Sequence, residues 1–106
     1  MDVNERIKAI LVEHPVVLFM KGTPAWPMCD FSARAARALT ATGARFQTVN
    51  VQADPQIRSA LPQFSNLSTF PQLFVQGELM GGCDVIEELH QAGELDRMMA
   101  DVLAVP

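Results

Sequence analysis

The sequence is poor in cysteine, in basic residues and in long apolar runs. Only two of its 106 residues are cysteines, too few for a disulfide framework, which favours a reducing, cytoplasmic setting. Lysine and arginine number 8 against 12 aspartates and glutamates, and phosphate binding needs clustered cations, which argues against nucleic acid as a partner. No apolar run reaches the roughly 18 residues of a membrane span, and the charged first residues predict no signal peptide. We therefore expect a cytoplasmic protein that binds neither membrane nor nucleic acid.

The sequence does have enough apolar residues for one folded domain. Hydrophobic residues make up 49% of the chain, so residues 1–106 can form a single domain with its own core. Apolar residues at helical spacing alternate with short apolar runs, and together they predict the element order α-β-α-β-α-β-β-α-α. Strands that alternate with helices and end in a hairpin predict a three-layer α/β domain with a mixed, four-stranded sheet.

Local signals in the first half place a loop between a buried strand and a helix. Apolar spacing predicts a first helix over about residues 3–13, and a continuous apolar run predicts a buried strand over Val16–Met20. Prolines and a glycine make residues 21–28 a loop, and an alanine-rich stretch predicts a helix over residues 29–42.

Local signals in the second half place three helices and a hairpin. Pro62 falls inside a helical pattern that it should kink or end. A hairpin should follow, with its turn near Gly77. Asp84 and Glu87 resemble a capping box that opens the next helix, and a last amphipathic helix should begin after Gly93.

The first cysteine lies where a helix is predicted to begin. Cys29 follows a strand and a loop, and the free N–H groups and the dipole of a helix start favour an anion there. We therefore expect a lowered thiol pKa, which would make the sulfur a nucleophile or a metal ligand. The alternative is a buried, inert cysteine. Ser32 stands where a second redox thiol would be, so an external small thiol or Cys83 would have to resolve a mixed disulfide.

Three other features could each contact part of a peptide or a carboxylate. A proline at the start of a strand makes Phe70–Pro71 a candidate cis peptide, which would expose a strand edge to an extended peptide. The Gly-Gly-Cys-Asp segment at 81–84 would place a helix N-terminus near a carboxylate, although it also fits an ordinary hairpin exit. Lys21 and Arg58 could each bind a carboxylate, although singly each also fits a solvated surface charge.

The chain resembles the monothiol class of glutaredoxins over nearly its whole length, most specifically in the segments FMKGTPAWPMCDFS, IRSAL and STFPQLFVQGELMGGCD. The resemblance implies a thioredoxin-like fold that binds glutathione. It implies that Lys21 and Arg58 bind the glycyl carboxylate of glutathione, and that Phe70 offers its backbone to the cysteinyl amides. It further implies that Cys83 and Asp84 hold the γ-glutamyl end.

The resemblance also implies an iron–sulfur cargo. A [2Fe-2S] cluster needs four thiolates, and Cys29 with one bound glutathione supplies two per protomer, so a homodimer would complete the set. Our main hypothesis is a carrier that is dimeric when loaded, donates clusters to apo iron–sulfur proteins and has weak or no oxidoreductase activity. The alternative is a glutathione-dependent thiol–disulfide oxidoreductase that uses Cys29. A binding module with a regulatory thiol is a third hypothesis.

The role of the second cysteine stays open at this point. Cys83 beside Asp84 is a poor nucleophile, which favours a purely backbone role. Under oxidation it could instead trap Cys29 in a disulfide.

Two sites depart from the family pattern. Family members usually have Cys-Gly-Phe-Ser, whereas Asp30 stands here in the second position. Its charge should disfavour the thiolate and repel an anionic cluster, so we expect weaker or shorter-lived cluster retention. Leu67 and Ser68 stand where a Trp-Pro pair is common, which affects partner contacts more than the fold.

Overall fold

The structure, a computed structural model, describes residues 1–103. Over these residues the elements follow the predicted order, as α1 (Val3–Glu13), β1 (Val16–Met20), α2 (Asp30–Ala41), β2 (Gln47–Asn50), α3 (Pro55–Ser65), β3 (Gln72–Val75), β4 (Glu78–Gly81), α4 (Cys83–Gln91) and α5 (Glu94–Leu103). None of these helices is long and apolar enough to cross a membrane.

The four strands form one mixed sheet in the order β2-β1-β3-β4. β1 pairs in parallel with β2 and antiparallel with β3, so that Leu18 lies opposite Thr48 on one side and Leu73 on the other. β3 pairs antiparallel with β4, which is the predicted hairpin. All of β1 is buried, as expected for a central strand that is covered on both faces.

Helices cover both faces of the sheet and create two cores. Side chains alternate along a strand, so successive residues of β1 face opposite layers. On one face Leu18 belongs to a cluster with Leu39 of α2 and with buried residues of α4 and α5. On the other face Phe19 packs in a cluster with Ile7 of α1 and Leu61 of α3. The predicted three-layer α/β arrangement is therefore confirmed.

The third helix does not end at its internal proline. Pro62 lies inside α3, which continues to Ser65 and ends at Asn66 in a left-handed conformation with φ 62°. A proline this close to the end of a helix removes only one intrahelical hydrogen bond. The preceding residue, Leu61, is fully buried and keeps this last turn packed against the sheet.

The predicted capping box at Asp84 and Glu87 is wrong. The N-cap residue of α4 is Gly82, which has no side chain that could cap the helix, and the helix begins at Cys83. β4 passes almost directly into α4, so Asp84 already lies inside the first turn. The Glu87 side chain instead binds Arg34 of α2.

Candidate functional site

The loop between β1 and α2 is closed by its own backbone. Thr23 and Trp26 exchange backbone hydrogen bonds of 3.1 and 3.0 Å, and the Met28 N–H donates to the Lys21 carbonyl at 3.0 Å. Cys29 follows directly after this closed loop, so its position at the start of α2 is fixed from the N-terminal side.

Two side chains fasten the loop to neighbouring elements. The Gly22 N–H donates to Asn50 Oδ1 at 2.9 Å, and the Lys21 N–H donates to Ser32 Oγ at 3.1 Å. Ser32 is fully buried in the first turn of α2. The residue that stands in place of a second redox thiol therefore has a structural contact of its own.

Cys29 is half-buried and is the N-cap residue of α2, and its sulfur makes no capping hydrogen bond of normal geometry. The backbone N–H of Ser32 is nevertheless the main cause that lowers the pKa of Cys29, and burial opposes it. The Phe31 N–H, the Ser32 hydroxyl and the charge of Lys21 lower this pKa further. The predicted direction of the shift is confirmed, and the amides of the helix start contribute more to it than Lys21 does.

A groove of about 680 Å³ opens beside Cys29, a volume within the usual range of small-ligand sites, roughly 300 to 1,000 Å³. It lies between the start of α2, one side of α3, the segment before β3 and the start of α4. Its lining includes all of the site residues predicted from the sequence, namely Lys21, Cys29, Arg58, Phe70, Cys83 and Asp84. The fold therefore brings together residues from four separate segments, and their individual roles stay predictions.

A buried glutamine holds the wall of the groove that precedes β3. The Phe70–Pro71 peptide bond is cis, as predicted. Gln72 is fully buried, and its side-chain amide donates to the carbonyls of Leu67 and Thr69 at 2.7 and 3.1 Å. This residue was not singled out from the sequence, although a lone polar side chain in an otherwise apolar strand is a signal for such a role.

The second cysteine is a buried thiol. Cys83 is 7% exposed, and its Sγ–H donates to Glu87 Oε1 at 3.3 Å. Burial first, and then the Glu87 carboxylate, raise the pKa of Cys83 to about 11. Cys83 is a poor nucleophile, as expected, but the neighbouring Asp84 contributes less to this than burial and Glu87 do.

Three potential metal ligands lie close together at the start of α4. Ligand atoms of Cys83, Asp84 and Glu87 are all within 4.8 Å of one another. Metal binding would require a deprotonated thiol and an available carboxylate. Here the thiol keeps its proton and Glu87 is paired with Arg34, so this set is a poor metal site.

Charged side chains of α2 and α4 pair across the helix interface. Arg34 binds Glu87 through Nε and Nη2, and its guanidinium lies 5.6 Å from the centroid of the Phe31 ring. The side chain of Asp30 is 79% exposed, and its carboxylate lies 3.9 Å from Arg34. Since Arg34 is engaged by Glu87, the charge of Asp30 is only weakly neutralised.

Exposed apolar side chains flank the first cysteine. Trp26, Met28 and Phe31 are 77%, 58% and 53% exposed, and all lie within three residues of Cys29 in the sequence. Large apolar side chains exposed this close in sequence to a reactive cysteine are candidates for contact with another molecule.

Comparisons with known proteins cover almost the whole chain. The Glutaredoxin family model matches residues 16–80. Glutaredoxin 4 of Escherichia coli (strain K12) is 47% identical over 100 residues, which span 94% of this chain and 87% of the relative. The solution structure of reduced apo GrxS14 from poplar has a TM-score of 0.81 at 35% identity, over 97% of this chain and 94% of that one. A crystal structure of a buckwheat glutaredoxin–glutathione complex has a TM-score of 0.82 at 28% identity, over 96% and 91%. These similarities confirm the thioredoxin-like fold.

Proposed function

The chain belongs to the glutaredoxin family, in its monothiol class, and on this basis we propose that it binds glutathione and carries a [2Fe-2S] cluster to apo iron–sulfur proteins. The observation that carries the proposal is the position of Cys29, a thiol of lowered pKa at the edge of a groove large enough for a tripeptide. Thiolates are the ligands that such clusters prefer. An unpaired, reactive cysteine of this kind requires a reducing compartment, so we infer a cytoplasmic location.

Glutathione fits the chemistry of the groove. The tripeptide has two carboxylates and one ammonium group, and Lys21 and Arg58 in the groove are suited to the glycyl carboxylate. The backbone of Phe70 would pair with the central cysteinyl residue. The N-cap residue of α4 makes no side-chain hydrogen bond, so the amides of Cys83 and Asp84 are suited to the γ-glutamyl carboxylate. The exposed carboxylate of Asp84 would bind the ammonium group.

The cluster is cargo rather than a permanent part of the protein. Cys29 and the thiol of one bound glutathione would supply two thiolates, and two protomers would supply the four that a [2Fe-2S] cluster needs. Half of the ligands would then belong to an exchangeable small molecule, which favours release of the cluster to an acceptor. Ser32 cannot form a disulfide with Cys29, so the protein thiolate stays available as a ligand.

The surface beside the cysteine is suited to transient contact with another protein. Trp26, Met28 and Phe31 are exposed in the isolated chain, and aromatic residues and methionine are enriched at protein–protein interfaces. A second protomer would cover these side chains in the loaded dimer. An apo iron–sulfur protein would cover them while the cluster is handed over.

Anaerobic reconstitution tests this function directly. With iron, sulfide and glutathione, the chain is expected to turn brown, to show the visible absorption of a [2Fe-2S] cluster and to become dimeric. Without glutathione, neither the cluster nor the dimer should form, because half of the ligands are missing. A colourless monomer that reduces a glutathionylated substrate would contradict the carrier and support the oxidoreductase.

Replacing Asp30 with glycine is expected to lengthen the lifetime of the bound cluster. Asp30 directly follows Cys29, and its carboxylate is exposed and only weakly neutralised. Its negative charge should therefore repel an anionic cluster bound to Cys29. One charge a few ångströms away in a hydrated site changes an equilibrium by roughly two- to fivefold. Decay of the visible absorption with glutathione present measures the lifetime, and high salt should reduce the difference between the two chains.

The matched control for this substitution is Glu94→Gly. Glu94 is also an exposed acidic residue in the first turn of a helix, but that helix is α5, which does not begin beside Cys29. Its loss should leave the cluster lifetime unchanged. Equal lifetimes for the native chain and Asp30→Gly would discard the idea that Asp30 shortens cluster retention.

A further inference from the structure

A chain of polar contacts joins the two helices that begin at the cysteines. The Cys83 Sγ–H donates to Glu87 Oε1 at 3.3 Å, one turn further along α4. The same carboxylate accepts hydrogen bonds from Arg34 of α2, from Nη2 at Oε1 and from Nε at Oε2. We propose that Glu87, fixed by Arg34, is a positioning residue that keeps Cys83 protonated and so confines thiol exchange in the groove to Cys29.

Burial and charge act on Cys83 in the same direction. Its side chain is almost fully buried, and a buried thiolate without a counter-ion is unfavourable. A carboxylate accepts hydrogen bonds but does not donate them, so the sulfur must keep its proton to make this contact. Burial and Glu87 are the main causes that raise the pKa of Cys83, and the charge of Asp84 adds to them.

Arg34 affects the protonation of Cys83 in two ways, which oppose each other. Its guanidinium lowers the pKa of Glu87, with help from Arg37 of the same helix, and so keeps this carboxylate ionised as an acceptor. Its positive charge also acts directly on Cys83, where it lowers the thiol pKa and opposes Glu87. Glu87 and Arg34 therefore have effects of opposite sign on Cys83, which makes their roles separable by experiment.

The effect of a protonated Cys83 on disulfide exchange in the groove rests on the proposed function. Exchange with glutathione disulfide would leave Cys29 as a mixed disulfide and release one glutathione. A Cys83 thiolate could then attack Cys29 Sγ: a Cys29–Cys83 bond forms, the bond to glutathione breaks, and a glutathione thiolate leaves. A protonated Cys83 does not start this step, so the mixed disulfide waits for an external thiol.

The decisive measurement is the rate at which iodoacetamide alkylates Cys83 in a Cys29→Ser background, followed as a function of pH. Glu87→Gln removes the negative charge and should shift the rate profile to lower pH. Each unit of lower pKa gives about ten times more thiolate of about threefold lower nucleophilicity, so the rate should rise about threefold per unit. Arg34→Gln removes the positive charge but keeps an amide N–H that can donate to the Glu87 carboxylate, so the unneutralised carboxylate beside Cys83 should slow the reaction.

The opposite changes expected in the alkylation rate distinguish this role of Glu87 from a merely structural one. If the Arg34–Glu87 pair only holds α2 against α4, both substitutions would loosen the packing and both would speed alkylation. That result, or an unchanged rate in Glu87→Gln, would overturn the proposal. Glu88→Gln is the matched control, because Glu88 is an exposed glutamate at the next position of α4, and it should leave the profile unchanged.

A second experiment, oxidation of chains that retain Cys29, distinguishes a failure of this inference from a failure of the proposed function. After treatment with glutathione disulfide, mass spectrometry should show the mixed disulfide in the native chain and more of the Cys29–Cys83 disulfide in Glu87→Gln. Equal amounts of that disulfide in two chains that both react with glutathione disulfide would overturn the proposal. A chain that takes up no glutathione would contradict the glutathione assignment alone, because the alkylation rates decide the role of Glu87 without glutathione.

Discussion

A Cys29→Ser chain is expected to bind no cluster and to exchange no disulfide with glutathione. In the proposed site Cys29 supplies the single protein thiolate of each protomer, and a serine hydroxyl does not ionise near neutral pH. The loss should be at least about a hundredfold, because it removes a direct ligand rather than a supporting contact. The measurements are the visible absorption after reconstitution and the mass of the chain after treatment with glutathione disulfide.

The fold should survive this substitution. Cys29 is half-buried at the N-cap of α2, and serine is itself a favourable N-cap residue, so the thermal midpoint should not fall. Cys83→Ser is the matched control and should still assemble the cluster. A brown, dimeric Cys29→Ser chain would contradict the proposed site, and a colourless Cys83→Ser chain would place Cys83 among the ligands.

Replacing Gly22 with alanine is expected to destabilise the loop before Cys29 strongly. Gly22 has φ +88°, and a Cβ atom there would lie 2.5 Å from the Trp26 carbonyl oxygen and 2.7 Å from the Met28 nitrogen. Both are backbone atoms that already hydrogen-bond within the loop, so they cannot move aside without opening it. We expect the free energy of unfolding to fall by about 3 kcal/mol or more, with loss of cluster binding.

Gly77→Ala is the matched control for this prediction. Gly77 has a similar left-handed conformation, with φ +80°, but a Cβ atom there would meet nothing within 4 Å. Its substitution should therefore cost only the conformational penalty, about 1 to 2 kcal/mol. Urea unfolding of both variants measures the difference, and equal losses would mean that contacts with Trp26 and Met28 do not restrict residue 22.

Local patterns were sufficient to predict the order of the elements and much of the groove. β1 could be recognised because a strand buried on both faces is apolar throughout. The start of α2 could be recognised because a proline-rich loop precedes an alanine-rich stretch. Once these starts were known, Cys29, Lys21 and Arg58 could be chosen for their chemistry, and the fold places all three on one groove.

Contacts between distant segments could not be predicted in this way. Arg34 and Glu87 lie 53 residues apart, so neither residue carries a local signal that names its partner. The spacing of Asp84 and Glu87 matched a capping box, but the N-cap residue is Gly82, two residues earlier, and Glu87 binds Arg34 of α2 instead. Whether a carboxylate caps its own helix or binds a neighbouring one is decided by packing, which the local pattern does not contain.

Ser32 both holds the loop before α2, through its hydroxyl, and limits the Cys-Asp-Phe-Ser motif to one sulfur atom. A cysteine at this position would create a pair of vicinal thiols, but a thiol is a weaker acceptor for the Lys21 amide that now binds the serine oxygen. Conversion to a two-thiol reductant would therefore loosen the segment that aims Cys29. In this chain the single sulfur atom of the motif and the fixed loop before α2 therefore both depend on Ser32.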